Sequence, residues 1–121
     1  MQRMTKKTNL RLVNLIIMLK ETARENEANI WRDIAKKLEL PTKNYAEVNI
    51  SKINRYANEG EIILVPGKVL GTGNLEQPVH IAALNFSKSA IGKIRDARGS
   101  CMTIEELMMV NPKGSRIRIL R

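Results

Sequence analysis

Residues 61–65 constrain the fold of this chain more than any other stretch. Glu61-Ile62-Ile63-Leu64-Val65 is an aliphatic run that stops at Pro66-Gly67. A strand with one wet face alternates apolar and polar residues, whereas an unbroken aliphatic run marks a strand buried on both faces. Its sheet therefore needs a covering layer on each side. Val79 to Leu84 is a second apolar stretch of strand length. Ser87 then opens a helix whose inward face is Ala90, Ile91 and Ile94, with Lys88, Lys93, Arg95 and Arg98 on the wet side. Gly92 inside that helix costs about 1 kcal/mol relative to alanine. Cys101-Met102 reads as a short strand. Thr103-Ile104-Glu105-Glu106 is a capping box, with Met102 and Leu107 placed as a hydrophobic staple, and this helix stops near Asn111-Pro112. Arg116 to Leu120 alternates and predicts a last strand with its arginines on one face. Strands separated by helices of this length require crossovers, so the prediction is α/β with a small mixed, partly parallel sheet.

The first half carries a different period. Thr8 or Asn9 can cap a helix whose face is Leu12, Leu15, Ile16, Leu19 and Ala23. Asn29 is the expected cap of a second helix with Ile30, Trp31, Ile34, Ala35 and Leu38 inward, and Pro41 ends it. An antiparallel pair packed on the sheet is the simplest arrangement. Glu47 to Ile50 predicts a short strand, Ser51 caps a short helix through Tyr56, and Gly60 closes it. Lys68 to Asn74 reads as a glycine-bearing loop. Neither repeats nor a linker interrupt the chain. It is expected to form one domain over 1–121, with a basic flexible arm at 1–8, a mainly helical part at 9–60 and an α/β part at 61–121. A chain of 121 residues buries roughly two-thirds of its unfolded surface, enough for a core without staples. The longest strictly apolar run, Leu15 to Leu19, is far below the ~20 residues of a membrane span. A soluble intracellular protein without a membrane partner is expected.

Catalytic chemistry finds little support. One cysteine, Cys101, and one histidine, His80, exclude an internal disulfide and the usual Cys/His zinc site. Gly67-Lys68 lacks the earlier glycine and the following Ser/Thr of a nucleotide P-loop, and Gly71-Thr72-Gly73 lacks the third glycine of a dinucleotide fold. A structural turn is the commoner reading of this loop; a loop laid on an RNA backbone beside Lys68 is the alternative. His80 has no evident partner for base catalysis and reads as a satisfied or solvated strand residue. Cys101 in an apolar strand reads as a small core residue. Glu105 and Glu106 already have capping and helix-dipole roles. No enzyme, cofactor or small-molecule substrate is expected.

Charge points elsewhere. Lys plus Arg is 21 against 12 Asp plus Glu, a formal net charge of +9, which favours a polyanionic partner. The first twenty residues hold Arg3, Lys6, Lys7, Arg11 and Lys20 and no acid. From Lys113 to the end stand Lys113, Arg116, Arg118 and Arg121, again without an acid. Lys36, Lys37, Lys43, Lys52 and Arg55 form a middle stretch interleaved with Asn44, Tyr45 and Tyr56. For a single lysine, a solvated charged face is the ordinary reading. Clustering at both ends with polar and aromatic residues between them favours phosphate contacts. The predicted RNA-binding set is Arg3, Lys6, Lys7, Arg11, Lys36, Lys37, Lys43, Asn44, Tyr45, Lys52, Arg55, Lys68, Lys113, Arg116 and Arg118. Single-strand readers stack bases on aromatic residues, and here only Trp31, Tyr45, Tyr56 and Phe86 are available, with Trp31 on the buried helical face. Recognition of folded RNA by backbone and shape follows.

The chain also resembles a known family. Its marks are Lys7-Thr8-Asn9-Leu10-Arg11-Leu12, Ile30-Trp31-Arg32-Asp33-Ile34-Ala35-Lys36 and the run from Asn44 to Tyr56, followed by Val65-Pro66-Gly67-Lys68-Val69-Leu70-Gly71. A composite signature follows: Lys68-Val69-Leu70-Gly71-Thr72-Gly73, then Phe86-Ser87-Lys88-Ser89-Ala90, Ile94 and Gly99. Asn111-Pro112-Lys113-Gly114-Ser115 is similar to the family's C-terminal turn. Over essentially its whole length the chain resembles the archaeal large-subunit ribosomal proteins of the eighteen-e family, homologous to bacterial large-subunit protein fifteen. Thr42 stands where the family pattern suggests another basic residue, and Gly99 falls one residue late. The resemblance implies irregular β-β-α layers and no catalysis. It also implies a place in the cytoplasmic large ribosomal subunit, with large-subunit ribosomal RNA and neighbouring ribosomal proteins as partners. A free-standing RNA-binding regulator would use the same basic surface.

Overall fold

Five strands and five α-helices follow one another in a computed structural model that describes residues 10–121. They are α1 (Leu10–Asn26), α2 (Asn29–Leu38), β1 (Ala46–Asn49), α3 (Ile50–Tyr56), β2 (Ile62–Leu70), β3 (His80–Phe86), α4 (Lys88–Asp96), β4 (Ser100–Thr103), α5 (Ile104–Val110) and β5 (Ile117–Ile119). A 3-10 turn at Thr42–Asn44 joins α2 to β1. The caps proposed at Thr8 or Asn9, the basic arm and Arg3, Lys6 and Lys7 lie outside the described residues.

The sheet runs β1-β2-β3-β4, with β5 also paired to β2. It is α/β as expected and more uniform than a mixed sheet, for all four pairings are parallel. Because β3 occupies one edge of β2, β5 and β1 share the other. β5 lies along Ile62–Leu64 and β1 along Gly67–Leu70.

The aliphatic run explains the layering. Side chains alternate across a strand. Leu64 enters a core with Leu15, Leu19, Trp31, Ile34 and Leu107, beneath α1, α2 and α5. Ile63 and Val65 enter a second core with Val48, Ile53, Ile81, Ala90 and Ile94, beneath α3 and α4. Both faces are thus covered, as a run without polar residues demands.

Three readings of β2 and its neighbours change. The strand does not stop at Pro66-Gly67 but continues to Leu70, so Lys68 is a strand residue and not part of a loop. Between Val65↔Ala83 and Lys68↔Asn85, β2 spends one residue more than β3, which is a bulge holding the proline. Gly67 is required there because a Cβ would stand 1.9 Å from the Ala46 carbonyl oxygen of β1. Gly60 has φ +82° but lies in the turn after α3, which already ended at Tyr56.

Caps divide the same way. Ser87 Oγ accepts the Ala90 N–H at 3.2 Å. Thr103 Oγ1 accepts the Glu106 N–H at 3.0 Å while Glu106 Oε1 accepts the Thr103 N–H at 2.8 Å, completing the capping box. Asn29 and Ser51 are not caps. Each falls inside its helix, and Ala28 and Asn49 take the cap positions without a side-chain bond. Cys101 is exposed and not a core residue; it lies on β4, the edge strand beyond β3. Burial nonetheless pushes its thiol pKa up, partly offset by Arg95, so the reactive thiolate is disfavoured.

Candidate nucleic-acid interface

A cleft of about 360 Å³ opens on the α1/α2 side of the sheet, where the helical cover ends. Val48, Val69 and Phe86 stand in register across β1, β2 and β3 and point into the second core. The preceding row, Glu47, Lys68 and Asn85, is turned to the other side and lines the cleft. All three are exposed. The 3-10 turn supplies the wall, with Lys43 and Tyr45, and Leu84 supplies an apolar patch. Tyr45 is held by its hydroxyl, which donates to the Leu38 carbonyl at 2.5 Å. Burial raises its phenol pKa. The same bond ties the cleft wall to the last turn of α2, which carries Lys36 and Lys37. Those cations suit the negative end of the helix dipole.

Three predicted residues, Lys43, Tyr45 and Lys68, therefore meet in one place, with exposed Asn44 on the same turn. Among the described residues neither lysine forms an ion pair. Glu47 and Asn85 were missed by sequence reasoning. A polar residue interrupting an otherwise apolar strand was their only signal, and the register that aligns them is tertiary.

Arg11 reaches the edge of the same region but is committed. Its Nε and Nη2 donate to Glu105 at 2.9 and 3.1 Å, and Nη1 donates to the Leu84 carbonyl at 3.0 Å. Hydrogen bonding to Arg11 holds the Glu105 carboxyl below its ordinary pKa against the opposing effect of burial.

Other predicted residues fall elsewhere. Lys52 and Arg55 lie on α3, across the sheet from the cleft. Lys52 Nζ donates to the Arg121 main-chain oxygen at 2.5 Å, and the Arg55 guanidinium sits 5.8 Å from the centre of the Tyr56 ring. Arg116 and Arg118 brace the turn before β2. Arg116 Nε donates to the Gly60 carbonyl at 3.1 Å, and Arg118 Nε to Glu61 Oε1 at 2.9 Å. Hydrogen bonding to Arg118 lowers the Glu61 pKa. Only Arg118 lies within β5; Arg116 precedes it with φ 59°. Lys113 sits on a turn held to α2, where the Trp31 indole N–H donates to the Pro112 carbonyl at 2.7 Å. Trp31 lies seven residues before Leu38, where the cleft wall is tied, which is about 10 Å along the helix axis.

The glycine loop is a structural turn. Lys93, expected in solvent, donates through Nζ to the Gly71 and Gly73 carbonyls at 2.6 Å each, and the Ser51 N–H donates to the Thr72 carbonyl at 3.2 Å. A phosphate cradle needs N–H groups directed outward; here the carbonyls converge on an internal cation. His80 Nδ1 lies 2.7 Å from Ser100 Oγ, the satisfied strand histidine expected. Among the described residues no helix is long and apolar enough to cross a membrane, and no cluster of three His, Cys, Asp or Glu could hold a metal.

The sequence pattern of the family described as "Ribosomal protein 60S L18 and 50S L18e" matches residues 1–121. The chain belongs to this family. It is 69% identical over 121 residues, the whole of both chains, to the large ribosomal subunit protein eL18 of Methanoregula boonei. It is 50% identical over 115 residues to the protein of that name from Archaeoglobus fulgidus, covering 95% of this chain and 98% of the other. The corresponding figures for Halobacterium salinarum are 47% over 115 residues, 95% and 98%. As a member of the L18e family the chain is a structural ribosomal protein and not an enzyme.

The two departures from the L18e pattern have visible settings. Thr42 lines the cleft beside Lys43. After α4 the left-handed residue is Arg98, φ 66°, and not a glycine. Gly99 is needed for closeness instead, since a Cβ there would lie 2.2 Å from the Val79 carbonyl oxygen.

Proposed function

We propose that this L18e protein binds folded large-subunit ribosomal RNA through basic side chains and stabilises it within the large ribosomal subunit. The observation that carries this reading is the meeting of Lys43, Lys68 and Tyr45 at one cleft, with Lys36, Lys37 and Asn44 beside it. A formal net charge of +9 supplies the long-range attraction. Lys52, Arg55 and Lys113 extend the contact set to other faces, as expected of a protein lodged between RNA segments. Arg11, Arg116 and Arg118 hold the fold first and offer their remaining charge to phosphates. Arg3, Lys6 and Lys7 complete the set. The chain acts as one unit, and its protein partners are neighbouring large-subunit ribosomal proteins, in the cytoplasm. Sucrose-gradient sedimentation of native extract tests the assignment. The protein is expected with large subunits; recovery in free fractions alone would favour an independent RNA-binding regulator.

A further inference from the structure

The cleft contains one group that phosphate binding does not explain. Glu47 stands in its floor, opposite Lys68 in the β1–β2 register, in a chain of strongly positive net charge. Among the described residues Glu47 makes no ion pair, although Lys43 and Lys68 line the same cleft. A site built for a phosphate alone would exclude a carboxylate. A carboxylate beside an ammonium suits instead a ligand that offers hydrogen-bond donors next to an acceptor.

Among the four RNA bases, guanine has that pattern. Its N1–H and N2–H donors lie side by side and match the two carboxylate oxygens, and its O6 accepts from an ammonium. Adenine and cytosine each place a ring acceptor beside their single amino group. Uracil flanks its one N–H with two carbonyls. We infer that the cleft takes an unpaired guanosine of the bound RNA, its Watson–Crick edge against Glu47 and Lys68 and its phosphate near Lys43.

The remaining lining fits. Tyr45 and Leu84 provide an apolar wall for the base, and the Tyr45–Leu38 bond fixes that wall in place. Asn85, next to Lys68 in register, can accept from or donate to the base edge. A volume of about 360 Å³ lies at the small end of ligand pockets, which span roughly 300–1,000 Å³. The guanosine must be unpaired, because a helical guanosine has its Watson–Crick edge occupied; loops and bulges are where proteins read such edges. This inference rests on the RNA-binding reading and adds base identity to it.

The test measures binding of the full chain to two labelled uridine nonamers, one with a central guanosine and one with a central adenosine. The wild type is expected to bind the guanosine oligomer about tenfold more tightly, the size of discrimination that a paired set of base-edge bonds provides. Glu47→Gln is decisive because the competing effects have opposite signs. Removing a negative charge strengthens binding of any polyanion, whereas losing the paired acceptor weakens binding of guanosine. The expected result is weaker binding of the guanosine oligomer and loss of the preference. Lys68→Met keeps the aliphatic stem, removes the O6 donor, and gives a second route to the same loss should the first variant melt early. Equal, salt-sensitive binding of both oligomers by the wild type, or a preference that survives in both variants, overturns the guanosine site and leaves RNA binding standing. Failure to bind either oligomer or a large-subunit RNA transcript overturns both.

Discussion

Trp31 illustrates how much a single side chain does here. It is fully buried between the helices and the sheet, and its indole N–H reaches across to Pro112 at 2.7 Å. Trp31→Ala removes both the volume and the bond. The expected loss is about 3–5 kcal/mol, comparable with the whole stability of a small domain. Trp31→Phe keeps most of the ring and leaves the Pro112 carbonyl without its donor, so about 1 kcal/mol should be lost. Urea melts of the two variants separate packing from hydrogen bonding. Glu105 gives the pH counterpart. Its folded pKa is lowered, chiefly by the hydrogen bond from Arg11. The stabilisation is therefore present above the ordinary glutamate pKa of about 4.3 and is lost as pH falls through the lowered folded value. The pair is partly exposed, which keeps its contribution to about 1 kcal/mol or less. Glu105→Gln should differ from wild type in melts at pH 7, and the gap should narrow as pH falls below the ordinary glutamate range and through the lowered folded pKa; a gap that stays constant down to acid unfolding would refute the linkage.

At the scale of elements, two glycines should respond in opposite directions. Gly67 lets β1 approach the bulge of β2, and the 1.9 Å spacing to the Ala46 oxygen leaves no room for a methyl group. Gly67→Ala must displace backbone, so β1 detaches along with the Lys43–Tyr45 turn that precedes it. Gly92 lies inside α4 with open space around its Cβ position. Gly92→Ala should stabilise by up to about 1 kcal/mol through helix propensity. Thermal melts suffice to compare them, and a stabilised Gly67→Ala would contradict the bulge geometry. Some element signals were legible because they are local. The Thr103–Glu106 box and the Ser87 cap use residues within three positions of each other. The Asn29 and Ser51 assignments failed because tertiary packing chose where the first turn begins, earlier in the chain in each case.

For the whole molecule, charge sets the expected behaviour. If about six phosphates are neutralised, log affinity for a large-subunit RNA fragment should fall against log salt with a slope of about −4 to −5. A slope near zero would refute an electrostatic interface. Lys52→Ala with Arg55→Ala should reduce RNA affinity and flatten that slope by about one for each phosphate left unneutralised. The fold should stay within about 1 kcal/mol of wild type, since Lys52 gives up only a surface bond to the Arg121 main-chain oxygen. Wild-type RNA affinity in that variant would remove α3 from the interface and leave the cleft untouched.

Sequence alone carried the α/β class, the strand in residues 61–65, the two N-terminal helical faces, the basic character and the family resemblance. All of these depend on residue type, short-range period or a contiguous motif. It singled out Lys68 as a basic residue of interest, but on a loop that is a strand. What tertiary structure decided was which charges remain available. Arg11 finds Glu105 94 positions away, Arg118 finds Glu61 57 positions away, and Lys93 turns inward to carbonyls 20 and 22 positions away. The cleft row of Glu47, Lys68 and Asn85 likewise exists only once β1, β2 and β3 pair in register. A charged side chain carries no local mark of its partner, because the partner is selected by how distant segments stack, and that is settled by burial of the aliphatic faces between them.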